Sequence, residues 1–170
     1  MSTFLVLVTI VKYFSISLGV GSSTLAILNF FAAIKDGHID ETERRMMGIV
    51  YIVLRVAMVL ILVSSFVLIA HEQEQPDLLN LSPYVGAQLL TLFVLFFNAI
   101  LMTLRVMSST FGPAIQAGSW YTLGILSTLS VVNLTNFTLP LFLLCYITWM
   151  ILAIGIVNGI LAYIESQRRG

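Results

Sequence analysis

Arg55 stands inside the apolar run 46–70, ten residues after Arg45 and so about 15 Å further along a helix. With the run entering a bilayer at Met46, that depth is close to mid-membrane. A guanidinium there costs at least ~2.5 kcal/mol on insertion scales, so a partner is expected. No Asp or Glu lies in any of the long apolar runs. The partner must then be a carbonyl, an amide side chain, water, an external anion, a lipid phosphate or a group on another subunit. Tyr51 precedes Arg55 by one helical turn, on the same face. Asn29 is six residues before Lys35, Asn98 seven before Arg105, and Asn158 seven before Glu165. These spacings put three amides and one guanidinium at comparable depth on four helices. One buried polar network, open to one side of the membrane and able to hold a ligand or a partner, fits that pattern. So does a plainer arrangement, in which Arg55 snorkels toward phosphates and the asparagines link helices.

Other chemistries lack their residues. There is no P-loop, no GxSxG or HExxH, and no pair of intramembrane carboxylates. Serines occur at depth, but no His or Asp accompanies them as a base. No histidine falls within a span, so a bis-histidine haem bundle is unsupported. No lysine occupies the last span for a retinal Schiff base. Cys145 is the single cysteine, which excludes a disulfide within the chain and a cysteine-built metal site. The expectation is a protein that is not an enzyme, with no metal and no cofactor.

Two acidic segments need a reading. Asp36, Gly37, Ile39, Asp40 and Glu43 resemble the second half of an EF-hand loop. The positions that open such a loop fall on Ala32 and Ile34, which cannot ligate calcium. The same letters read as a helix connection. Gly37 suits the left-handed end of one helix, and Asp40 with Glu43 makes a capping box for the next. The second segment, His71 to Asp77, matches no established metal motif and reads as a solvated loop. Asn80, Asn133 and Asn136 each begin an N-x-S/T tripeptide, a glycosylation acceptor only in a eukaryotic secretory setting.

The elements that must position these residues are membrane helices. The 170 residues are 59% hydrophobic and 9% charged, against about 25% charged in a typical soluble domain. The mean hydropathy is +1.02. Roughly 20 apolar residues cross the hydrocarbon core. The expected fold is an all-α, polytopic bundle of five spans in a single integral membrane domain over 1–170: 13–34, 46–70, 84–104, 119–136 and 139–164. Lys12 and Lys35 bracket the first span, and the apolar run before Tyr13 either extends the first helix outward or lies in the interface. The start of the chain lacks a signal-peptide pattern, so the first helix is expected to be retained. Lys and Arg concentrate in the first and third connections and the C-terminal tail. Positive-inside reasoning therefore places the N-terminus outside and the C-terminus in the cytoplasm, in a plasma or inner membrane. A tight turn around Asn136–Thr138, with Pro140 in the first turn of the last helix, predicts an antiparallel hairpin.

Small residues recur along several faces. Gly19, Ser22 and Ala26 mark a packing seam on the first span, and Gly155 with Gly159 forms a GxxxG pair on the last. The expected partners are the lipid bilayer and a hetero-subunit or further copies of the chain, with no nucleic acid. The expected function is that of an accessory, assembly or signalling subunit acting through helix packing. The alternative is a small oligomeric transporter or channel for an anionic or neutral solute. Thr122, Gly124, Ser127 and Ser130 of the fourth span would then line its path.

Overall fold

A computed structural model describes residues 2–36, 40–72, 82–107 and 111–169. They form five helices, α1 Thr3–Asp36, α2 Glu41–Glu72, α3 Pro83–Thr103, α4 Phe111–Val131 and α5 Leu139–Arg169. A helical bundle is the fold. Gly37, the stretch Gln73–Asp77 and Asn80 lie outside the described residues.

Helix ends follow local chemistry. The Glu43 amide donates to Asp40 Oδ1 at 2.6 Å, and the Asp40 amide donates to Glu43 Oε2 at 3.1 Å. This is the reciprocal capping box expected for α2. Ser82 caps α3 by accepting from the Val85 amide, with Pro83 at the first helical position. Arg105 and Asn133 both take a left-handed φ of 57°. Beyond them, the Val106 amide reaches Leu101 O and the Leu134 amide reaches Leu129 O. Each such bond satisfies a carbonyl that the end of the helix would otherwise leave unpaired.

The apolar run before Tyr13 extends the first helix outward: α1 starts at Thr3 and runs through Lys12 without a break. One boundary differs from expectation. α4 occupies 111–131 rather than 119–136, so its connection to α5 spans 132–138 and is not a three-residue turn. The polar residues of α4 explain the difference. Four helices, α1, α2, α3 and α5, are long and apolar enough to cross a membrane, and α4 is not among them. It is flanked by α1, α3 and α5. A helix shielded from lipid on several sides has no need of an apolar perimeter.

Trp120 of α4 is 0% exposed and sits at the centre of the main core, among Ile16, Met58, Ile61, Leu95 and Leu123. Gly19 of α1 lies flat against its ring, and a Cβ at that position would overlap the indole. Gly19→Ala is therefore expected to destabilise the bundle by about 1–3 kcal/mol, the usual cost of overpacking a tight core. Reversible unfolding in mixed micelles reads this value, and an unchanged stability would refute the close α1–α4 approach.

The helices differ in length. α3, with 21 residues, is about 31 Å long, close to the ~30 Å hydrocarbon thickness. α1, α2 and α5 have 34, 32 and 31 residues. At the end holding the N-terminus, Thr9, His71, Tyr84 and Ser130 share one cleft, so the termini of α1–α4 lie nearly flush. At the opposite, basic end, Ala26 and Tyr51 are level with Met102 and Pro113. From there α1 continues to Asp36, and α2 reaches back to Glu41. Ten residues of each helix thus overhang the ends of α3 and α4.

Candidate functional site

Arg55 opens onto a groove between α2 and α3. Tyr51, Leu54, Arg55 and Met58 form one wall, Ala99, Met102 and Thr103 the other, and Gln116 of α4 the floor. The cavity measures about 280 Å³. The Arg55 side chain is exposed, and among the described residues no carboxylate pairs with it. Its neighbours Met102 and Thr103 belong to the last turn of α3. Tyr51 is level with Met102, so Arg55, four residues further along α2, lies about one turn inside the basic end of α3, and the groove runs outward from it to Thr103.

Asn98 sits beneath this groove, 2% exposed. Its Nδ2 donates to Gly112 O at 2.9 Å and to Gln116 Oε1 at 3.1 Å, tying α3 to α4. Gln116 Nε2 in turn points at Met58 Sδ, 3.5 Å away, a weak acceptor. The network thus runs Asn98–Gln116–Met58 and reaches the groove beside Arg55 and Tyr51. Asn29 and Asn158 do not join it. Both are half-buried, on α1 and α5, and neither lines the groove. Gln116 was not foreseen, because the fourth span was started at Ser119. The pair Gly112-Pro113 is the signal that would have extended that helix to include it.

A second polar cleft, about 260 Å³, opens at the other end of the same four helices. Thr9, Lys12, His71, Tyr84, Gln88, Ser127 and Ser130 contribute to it. Gln88 is buried and donates to the Tyr84 hydroxyl at 2.8 Å. Between the two openings stands the apolar core around Trp120. Three buried polar atoms along this seam lack a partner: Asn98 Oδ1, Trp120 Nε1 and Ser127 Oγ. Most buried hydroxyls are treated differently. Those of Ser15, Ser64, Thr91, Ser119 and Thr122 each donate to the carbonyl four residues earlier. Gly124 packs against Ile16 and Val20.

α5 is held to α4 by a few specific bonds. Trp149 Nε1 donates to Gly118 O at 3.1 Å, and Ser119 Oγ meets the Tyr146 hydroxyl at 2.9 Å. Phe142 stacks between Phe137 and Tyr146 along an apolar groove that Cys145 also lines. The far side of α5 has no such cover. Gly155 and Gly159 are exposed, and among the described residues a Cβ at either would meet nothing within 4 Å beyond its own stretch of helix. Gly19 and Ser22, by contrast, are buried in the α1 seam and Ala26 is half-buried. The GxxxG pair thus forms an open edge and takes no part in packing this bundle.

Among the described residues no cluster of His, Cys, Asp or Glu could hold a metal ion. Comparison with protein-family models, with curated proteins and with solved structures gives no match. What the fold defines is a class: a five-helix bundle, four of whose helices can cross a membrane.

Proposed function

We propose that the protein is an accessory or assembly subunit of a membrane complex, and that a helix of the partner packs on α5. The observation that carries this reading is the uncovered backbone at Gly155 and Gly159. In lipid, helices associate through close approach at small residues, and such an edge admits a neighbouring backbone. α5 is also the least enclosed of the four apolar helices. No catalytic role belongs to this reading. Native mass spectrometry of the protein, purified from its host in mild detergent, tests it. The expected result is a defined second polypeptide, lost on Gly159→Leu while the melting temperature of the chain itself is unchanged. A monomer, or a complex indifferent to Gly159→Leu, would sink the proposal.

A second reading has its own support. Two polar clefts on one helical seam, with three unpartnered polar atoms between them, suit a small polar solute crossing in steps past Trp120. Buried polar groups left without a partner are costly, and a passing solute or water would satisfy them. Solute flux into liposomes, absent from protein-free controls and abolished by filling the seam with Ser127→Leu, would favour transport over the subunit role.

A further inference from the structure

We propose that the groove between α2 and α3 is a binding site for an anionic phospholipid, whose phosphate meets Arg55. The inference rests on this groove alone and does not depend on the role given to α5.

The charge comes first. Arg55 is exposed at the groove, and Arg105 follows Thr103 in the turn that ends α3. The nearest described acid on α2 is Glu43, twelve residues earlier, or about 18 Å along the helix. An arginine in this setting needs an anion, and among the described residues no carboxylate pairs with it. A planar guanidinium is well matched to phosphate oxygens.

The lining argues for a lipid over a free anion. Arg55 and the Tyr51 hydroxyl supply polar contacts. Leu54, Met58, Ala99 and Met102 supply an apolar wall along which an acyl chain can lie. Gln116, 4% exposed, brings a buried amide whose Nε2 has, among the described residues, the Met58 thioether as its acceptor. An ester or phosphate oxygen is a better acceptor than that sulfur. Thr103 adds no donor, because its hydroxyl already bonds Ala99 O.

The geometry gives the lipid a way in. α2 and α3 are the most loosely packed of the neighbouring helix pairs. The groove is flanked by exposed apolar side chains, Ile52, Val56 and Val59 on α2 and Ile100 and Leu104 on α3. These are the surfaces that face acyl chains, so the groove opens sideways into the bilayer. Its outer end, at Thr103 in the last turn of α3, is where a helix of about 31 Å reaches the end of the hydrocarbon layer. A phosphate at that level lies within reach of the guanidinium.

The test is native mass spectrometry of the full chain, given phosphatidylglycerol and phosphatidylcholine of equal chain length in equal amounts. The protein is expected to retain phosphatidylglycerol by at least about fivefold, the factor one arginine near an anionic surface contributes. Arg55→Gln should abolish that preference, and Arg55→Lys should keep part of it. Ala99→Leu, which fills the groove and leaves the charge, should lower retention of both lipids. This variant also separates a built site from loose attraction to the basic end. Equal retention of the two lipids, a preference unaltered by Arg55→Gln, or a retention of both lipids unaltered by Ala99→Leu, would overturn the proposal. Displacement of phosphatidylglycerol by millimolar inorganic phosphate would overturn it in favour of a free-anion site. Capture of an acidic polypeptide in place of lipid, lost with Arg55→Gln, would overturn it in favour of a protein partner.

Discussion

Trp120→Ala is expected to be the most damaging single substitution in this chain, lowering the unfolding free energy by about 3 kcal/mol or more. Volume, not hydrophobicity, sets this cost. In a bilayer the separated helices are already in an apolar solvent, so burying an indole against other helices gains little transfer free energy. What remains is packing. Trp→Ala removes roughly 140 Å³, and an uncollapsed cavity costs about 24 cal/mol per Å³. The ring is wedged between Gly19 on one side and Ile61, Leu95 and Leu123 on others. These come from four helices, so collapse would require several backbones to move together. Trp120→Phe should behave quite differently. It removes the indole N–H, which has no partner, and keeps most of the aromatic volume. A loss within about 1.5 kcal/mol is expected, as for other nearly volume-conserving swaps. Unfolding of the two variants in mixed micelles gives both values, and equal losses would show that the N–H, not the volume, is what the site needs.

Asn98→Leu is expected to cost about 1–3 kcal/mol. The substitution removes two bonds into α4 and leaves Gly112 O and Gln116 Oε1 without their shared donor. A double-mutant cycle with Gln116→Leu separates the terms. The double variant should be more stable than the sum of single losses predicts, since no buried amide is then left half-satisfied. Strict additivity would mean that Asn98 and Gln116 do not act as a pair, and would place the stabilising bond at Gly112 instead. The unpartnered Asn98 Oδ1 sharpens the prediction, because it gives the leucine variant a compensating gain. The loss should therefore fall toward the low end of the range.

Periodicity and composition were enough to read most of the fold. The apolar runs of α2, α3 and α5 declare themselves by length. The capping box at Asp40 and Glu43 is a local pattern, and local patterns survive folding. α4 was harder for a physical reason. A helix enclosed by others carries Gln, Ser, Thr and Gly where a lipid-facing one carries Leu and Ile. Its start was thus placed where hydropathy rises, eight residues too late. The candidate site was read in part. Depth counting along the helices finds which residues share a level, and Arg55 and Asn98 do lie near one another. It does not give azimuth. Nor did it hold for every amide: Asn29 lies beyond Ala26 on the overhanging part of α1, neither it nor Asn158 lines the groove, and Gly155 and Gly159 have a packing motif whose face is turned outward. Rotation about a helix axis is set by neighbours distant in sequence, and a single sequence carries little record of them.

The modest apolarity of α4 bears on how the molecule is made. A segment that crosses the bilayer core alone must be hydrophobic enough to leave the translocation channel for lipid unaided. α4 falls short of that standard, while α3 before it and α5 after it meet it. The helices that α4 packs on most, α1 and α3, precede it in the chain, and the bonds from Asn98 are available as soon as α4 is made. Its entry into lipid is thus expected to be assisted by partners already in place, with Tyr146 and Trp149 of α5 closing the last side.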